Sequence, residues 1–427
     1  MEFLKVQIMI LPKVFTILTS HIYILFFILI MSSCTNLINL YDDNEVNKKE
    51  LNVKTYDDKL TCNSLTQLNI IHNSNYTINE FKIISSRLKN KYNFSFVEIS
   101  LAYIIYQSII RPDATSPYAR SQYLIAAKDK KNYYDLNYLN KESFEHSLIR
   151  ISSDYKVRNI KKLIRQLKLS LPVKLTVQKN LHQYLTKNKK ELLRSKRFEH
   201  LFKLKNPLRV GETFTSKKIN FKESRVSKSY IKPPSFKLNI AAKGSYNLQC
   251  NFDPGLYQND IYILRKQEDI YNTFALNDSN GNYFVAHTTS KNDIQKSINN
   301  QTRYPAPICQ YQDKRKDITL LAFNSKDPAQ IMYHLINYDI FTAANSKELI
   351  EYLNFPRHEI LNNPNRIIFE SKRSSQKQLA YFLSLNFPVY HSPSLGEIWS
   401  FFKKKNKPYY QYISDNRSPA AQSCLKK

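Results

Sequence analysis

The sequence predicts a multi-domain α+β protein with a helical N-terminal part, a mostly antiparallel β middle and a small α/β C-terminal part. Three observations carry that expectation. Apolar residues recur at helical spacing in segments between 78 and 204, and they alternate with period two between 236 and 285. After residue 313, short strand-like and helix-like runs take turns. With 427 residues, 42% of them apolar, the chain has material for two or three cores and too little polarity for wholesale disorder. The expected units are a helical domain at 62–154, a basic amphipathic helical connector at 155–212, a β domain at 213–312 and an α/β domain at 313–427.

The chain opens with a cationic start (Lys5, Lys13) and an uninterrupted apolar run at 22–31, followed by Ser32, Ser33 and Cys34. That order is the plan of a secretory signal. The small-small-Cys ending resembles the lipobox of bacterial lipoprotein precursors, although Met31 stands where that family prefers Leu. The resemblance covers only about the first 35 residues. It implies removal of residues 1–33, lipidation of Cys34 and a place in the cell envelope. With Thr35 rather than Asp after the Cys, it also implies the outer membrane where the organism has one. Residues 14–31 also read as an uncleaved membrane anchor, because they approach the ~20 residues that span a bilayer. Residues 34–61 are polar, charged and without periodicity, as expected of a flexible tether.

Export agrees with cysteine use. Besides Cys34 the chain has Cys62, Cys250, Cys309 and Cys424, an even set without CxxC spacing. Two disulfides are expected, with Cys250–Cys309 favoured because both lie in the compact β region. Four unpaired buried thiols are the alternative.

Thr77 with Glu80, and Ser95 with Glu98, have capping-box spacing and open helices over about 78–91 and 96–110. The second helix is apolar on nearly every face, the mark of a buried core helix. Val157, Ile160, Ile164, Leu167 and Leu171 then line one face of a helix whose other faces carry Lys156, Arg158, Lys161, Lys162, Arg165 and Lys168. Leu181 to Phe202 continue an amphipathic pattern. Beyond 213, strands are expected at 236–240 and 246–252, and a hairpin about Asn280-Gly281 with a type I′ turn. Strands at 318–323, 340–343, 366–370 and 387–391 alternate with helices at 328–337, 346–354, 375–385 and 394–404, which suggests a small parallel sheet. Residues 403–412, rich in Lys and Tyr, read as a surface extension pinned by Cys424.

The formal charge of +29 is concentrated: residues 155–237 hold 24 Lys or Arg against 4 acids. Such a stretch attracts polyanions, and in an exported protein these are anionic lipid, lipopolysaccharide or cell-wall polymers. Lys156, Arg158, Lys161, Lys162, Arg165 and Lys168 are the candidate anion-binding residues; nucleic acid is not an expected partner outside the cytoplasm. A solvated helix face in a Lys-rich proteome is the plainer account of the same charges. Codon bias in an AT-rich genome accounts for part of the excess. Asn75, Asn93 and Asn300 stand in glycosylation sequons, which bear on a eukaryotic secretory alternative.

No cofactor or metal is expected. The 5 glycines are scattered, so no Gly-rich phosphate cradle exists. His358 and Glu359 begin like a zincin motif, but Asn362 replaces the second His. His391, Ser392 and Ser394 follow a predicted strand, where α/β sheets place functional groups, yet helix capping explains the serines. Asp253, Glu348, Glu351, Glu370 and Glu397 are the carboxylates available to a glycan hydrolase, and each has a structural explanation. The leading expectation is therefore a non-enzymatic envelope protein that contacts anionic polymers, the membrane surface or other envelope proteins. The alternative is an envelope glycan or peptide hydrolase whose site only the fold assembles.

Overall fold

The computed structural model describes residues 66–73, 78–115, 120–136, 144–157, 160–170, 174–194, 198–215, 247–252, 270–290, 306–361, 365–371, 373–415, 417–418 and 421–426. Cys34, Cys62, Arg158, Asp253, the signal segment and the strand expected at 236–240 lie outside the described residues.

Two sheets packed face to face form the centre. The first has six strands in the order β18 (Ala421–Lys426), β1 (Thr66–His72), β9 (Ile270–Asn277), β10 (Tyr283–Ser290), β2 (Arg120–Ala127) and β3 (Lys130–Leu136), all antiparallel. The second has five, again antiparallel: β17 (Gln411–Ser414), β16 (Glu397–Lys404), β12 (Lys316–Phe323), β11 (Ile308–Gln312) and β8 (Asn247–Cys250). A three-stranded sheet joins β13 (His358–Leu361) and β14 (Arg366–Glu370) to β15 (Val389–Ser392), with β14 and β15 parallel. Short ladders pair β4 (Lys174–Thr176) with β7 (Thr213–Thr215), and β5 (Phe202–Lys203) with β6 (Asn206–Pro207).

Period-two alternation assigns each strand face to a layer. Ala275, Tyr283, Val285, Leu321, Phe323, Trp399 and Phe401 fill the space between the two large sheets. Phe274, Leu276, Phe284 and Ala286 point the other way, into a core shared with α1 (Ile78–Tyr92), α2 (Phe96–Ile110), α3 (Phe144–Asp154) and α4 (Ile160–Ser170). Ile318, Leu320, Ala322, Ile398 and Phe402 likewise face residues of two later helices, Pro328–Asn337 and Ser346–Leu353. The result is four layers: helices, sheet, sheet, helices. Polar ties cross between the sheets, including Lys131 Nζ to Asp317 Oδ1 at 3.2 Å and Tyr283 Oη to Thr319 Oγ1 at 2.8 Å.

The helix expected at 96–110 forms as α2. Ser95 Oγ accepts from Glu98 N and the Glu98 carboxylate accepts from Ser95 N at 2.7 Å, and every residue from Ile99 to Ile110 is buried. The mixed α+β class holds, but the strands do not divide as the expected units do. Segments 62–154, 213–312 and 313–427 each lend strands to the six-stranded sheet, because β1 lies between β18 and β9. The connector 155–212 is a folded unit with α4, α5 (Lys179–Lys187), α6 (Lys189–Leu193) and β4 to β6. Its Leu163, Leu167, Leu181, Leu185 and Leu201 join the helix-side core.

Four local expectations are corrected. Residues 397–404, expected to be helical, form β16, because Ile398, Trp399, Phe401 and Phe402 must face both sides of a strand buried between β12 and β17. Ile340–Thr342 is a 3-10 turn rather than a strand. The Tyr-rich tail is structural: Tyr410 and Tyr412 are buried between the sheets, and β17 and β18 complete both. The β9–β10 turn is not type I′. Only Gly281 has positive φ (+78°), and Asp278 Oδ1 accepts from the backbone of Asn280 and Asn282. It is a longer turn closed by a left-handed glycine. Type I′ geometry instead occurs at Lys128-Asp129, where both residues have positive φ. Of the helices that follow the connector, α7 (Pro328–Asn337), α8 (Ser346–Leu353) and α9 (Gln376–Ser384) stand where expected.

Candidate functional site

The β9–β10 hairpin is the central pair of the six-stranded sheet, and its open end carries two polar clusters, one on each face. Toward α2, Asn272 Nδ2 donates to Gln107 Oε1 at 2.9 Å and to Thr115 Oγ1 at 3.0 Å, and Thr115 Oγ1 meets Thr288 Oγ1 at 2.8 Å. All four side chains are fully buried, so each hydrogen bond offsets the cost of removing its groups from water.

Toward the second sheet lie Tyr271, Thr273 and His287. Thr273 Oγ1 and His287 Nδ1 are 2.8 Å apart, in residues paired directly across β9 and β10. Tyr271 Oη donates to Glu397 Oε1 at 3.3 Å; Asn324 Nδ2 donates to the same oxygen, and Ser418 Oγ to Oε2, each at 2.8 Å. Trp399 Nε1 donates to Ser418 Oγ at 2.9 Å. Burial pushes the Glu397 carboxyl up to about 7, with the charge of Asp415 adding to it and the hydrogen bonds from Ser418, Asn324 and Tyr271 opposing. Burial, then Glu397, holds the Tyr271 phenol well above its ordinary range.

Arg111, at the C-terminus of α2, reaches this edge. Its Nε and Nη2 each lie 3.1 Å from an oxygen of buried Asp113, and its side chain keeps 24% exposure. The Arg111 charge acts on Tyr271, opposing the rise of the phenol. The arrangement is a half-open, donor-rich edge: a fixed cation, a neutral phenol and a carboxyl near its midpoint at neutral pH. The hydroxyl–imidazole pair beneath it has the chemistry of a nucleophile and base, but Thr273 is 0% and His287 2% exposed.

A second buried group, beside Glu397, is structural. Arg417 Nη2 meets Glu370 Oε2, and Arg357 Nη2 meets Asp415 Oδ2, both at 2.5 Å. Arg417 Nε also donates to Glu370 Oε1, and the Nη atoms of both arginines donate to carbonyls, among them those of Leu353, Phe355 and Leu395. The network ties β14, β16 and the chain beyond β17 to the end of α8.

Of the sequence candidates, only Glu397 enters the site. Glu370 is held in the ion network, and the Glu348 carboxylate accepts from Ala344 N and from Nδ2 of the α8 N-cap Asn345. Glu359 is fully buried and accepts from Asp327 N; burial pushes its carboxyl up to about 7. His358 stacks on His334, with ring centroids 4.2 Å apart, and burial lowers it to about 4. Ser392 Oγ donates to Ser394 O, and no helix follows to be capped. Cys250 and Cys309 form the expected disulfide across β8 and β11, while Cys424 sits on β18 opposite Asn69. Lys156, Lys162 and Arg165 are exposed near or on α4, and Lys161 and Lys168 belong to the same helix. Lys156, Lys162 and Arg165 are not part of the Tyr271 cluster. Among the described residues, no group of three or more His, Cys, Asp or Glu is arranged to hold a metal ion, and no helix is long and apolar enough to cross a membrane.

Tyr271, Thr273, His287 and Arg111 were not evident as site residues. The one available signal was polar side chains at 271–273 and 287–289 on strands that otherwise read as apolar.

No family model matches the chain, and no curated relative does. Solved structures do. Cephalosporin acylase from Bacillus halodurans superposes with a TM-score of 0.53 at 8% identity, over 84% of this chain and 96% of that one. Two structures of LmbA2991 superpose with TM-scores of 0.51 and 0.52, each at 8% identity, over 85% and 84% of this chain and 98% of theirs. At that identity the likeness is one of fold.

Proposed function

We propose that this chain is an exported binding protein on an acylase-like frame, which holds an amide-bearing ligand at the Tyr271 edge without cleaving it. One observation carries the reading. The hydroxyl at the half-open edge is a phenol, donated to Glu397 and held neutral by its surroundings. A neutral phenol is a hydrogen-bond donor rather than a nucleophile at physiological pH. With the lone pairs of Tyr271 Oη as acceptors and the partly exposed Arg111 guanidinium as a donor, the edge matches the mixed donors and acceptors of an amide. The fold shared with a cephalosporin acylase supports the same ligand class.

Amide hydrolysis is the second reading, favoured by the 2.8 Å contact of Thr273 with His287. Its burial counts against it, because a nucleophile must reach the carbonyl carbon. The two readings separate on incubation with a cephalosporin and with N-acyl amino acids, followed by calorimetry and by chromatography of products. Saturable binding that weakens at least tenfold in Arg111→Met, with no free acid or amine released, supports the binding protein. Turnover that disappears in Thr273→Val and His287→Gln supports the hydrolase.

The cellular half of the proposal rests on the first 35 residues and on charge. Cys34 becomes the lipidated first residue of the mature chain, which stays at the envelope, and the cationic segment meets anionic envelope polymers. Intact-mass measurement on protein from its native membrane tests this. A chain beginning at an acylated Cys34 supports it; an unlipidated chain retaining residues 1–33 refutes it.

A further inference from the structure

The β5–β6 hairpin is small and firmly rooted. Phe202 pairs with Pro207 and Lys203 with Asn206, and Leu208 N donates to Leu201 O at 3.0 Å, with both leucines buried. Its two turn residues are Leu204 and Lys205, both left-handed, with φ of +49° and +64°. Turns of this geometry are ordinarily made by Gly, which has no Cβ to clash, and by Asn, whose short polar side chain bonds the local backbone. Leucine adds a second penalty, since Leu204 is 90% exposed and touches no core. Val210, just beyond the hairpin, is 55% exposed. In water neither feature has a compensation within the fold.

The surroundings supply one. Lys203, Lys205 and Arg209 are exposed about the tip, and Lys189 reaches it through Nζ to Asn206 Oδ1 at 3.1 Å. Residues 187–212 carry nine Lys or Arg and three acids, Glu191, Glu199 and Glu212. A single protruding apolar side chain within a ring of long cationic ones is the arrangement that enters a charged bilayer surface. The leucine reaches the acyl boundary while the ammonium groups stay among the head groups. We propose that the β5–β6 tip docks on an anionic lipid surface by inserting Leu204. The proposal rests on the reading that the cationic segment meets an anionic surface at the envelope, and it stands apart from the core site and from the tether at Cys34.

The test uses the full chain, reconstituted in phosphatidylcholine vesicles with and without phosphatidylglycerol. Leu204→Trp adds one fluorophore to the buried Trp399. Quenching by brominated acyl chains is expected to touch only the added indole, and only where phosphatidylglycerol is present. Neutralising Lys203 and Lys205 to Gln should weaken it about fivefold per lysine. Unchanged Trp399 emission shows that each variant is folded. Three results overturn the proposal: no quenching in either vesicle, equal quenching in both, or a concentration-dependent blue shift without lipid. The last would assign the tip to a second copy of the chain.

Discussion

Glu397→Gln separates the buried carboxyl's charge from its shape. In the folded chain this group titrates at about 7 rather than 4.5, a difference of about 2.5 units. At about 1.4 kcal/mol per unit, that corresponds to about 3 kcal/mol. The sign follows from which state binds the proton more tightly. Glu397 in the folded chain holds its proton longer than in the unfolded chain, so its contribution is fully present below pH 4.5 and is lost as pH rises to about 7. Glutamine keeps the hydrogen-bonding shape and has no such titration. The stability of wild type minus that of the variant should therefore fall by about 3 kcal/mol between pH 4.5 and 8. Glu359, also near 7, and His334 and His358, near 3 and 4, are common to both chains and cancel. The assay is urea unfolding at half-unit pH steps, followed by Trp399, which hydrogen-bonds Ser418 in the same cluster. A difference that stays level from pH 5 to 8 would refute the assignment of Glu397 as a buried, reluctantly ionised acid.

Other expectations concern the frame. Arg417→Met leaves Glu370 and Asp415 buried with one partner fewer, and should cost about 3–5 kcal/mol in urea unfolding. Gly281→Ala forces a Cβ into left-handed backbone against the Pro408 carbonyl, whereas Gly211, at φ +89°, has nothing within 4 Å of that position. Thermal unfolding should show a loss of about 1–2 kcal/mol for Gly211→Ala and a larger one for Gly281→Ala. Reducing Cys250–Cys309, which closes a loop of 59 residues, should lower stability by about 4 kcal/mol, read as the shift in urea midpoint with dithiothreitol.

The elements that sequence revealed are those whose local pattern and environment agree. Helix α2 has a cap, uniform apolarity and Pro112 beyond its end, so nothing in its surroundings contradicts the pattern. Strands β1, β2 and β16 were missed or mistaken because they are buried on both faces. Asn69, Gln122 and Ser400 point inward, so apolar and polar positions do not alternate along them. The shared six-stranded sheet was invisible for another reason: β1 and β18 pair residues 349 to 360 positions apart, and no local signal encodes that. The site failed on the same ground. Tyr271 and Glu397 are ordinary strand residues until the two sheets pack, and the sequence that marks the end of α2 before Arg111 does not show what that end lies against. The cationic hairpin was legible as charge, but not as a tip, because Leu204-Lys205 carries no turn chemistry.

The central claim is that the Tyr271 edge holds an amide-bearing ligand and leaves it intact. Calorimetry of the full chain with N-acyl amino acids and a cephalosporin, with product analysis of the same samples, tests it most directly. The account predicts saturable binding that Arg111→Met weakens at least tenfold, with the ligand recovered unchanged. Released acid and amine, lost in Thr273→Val, would contradict it and make the buried hydroxyl–imidazole pair an active site.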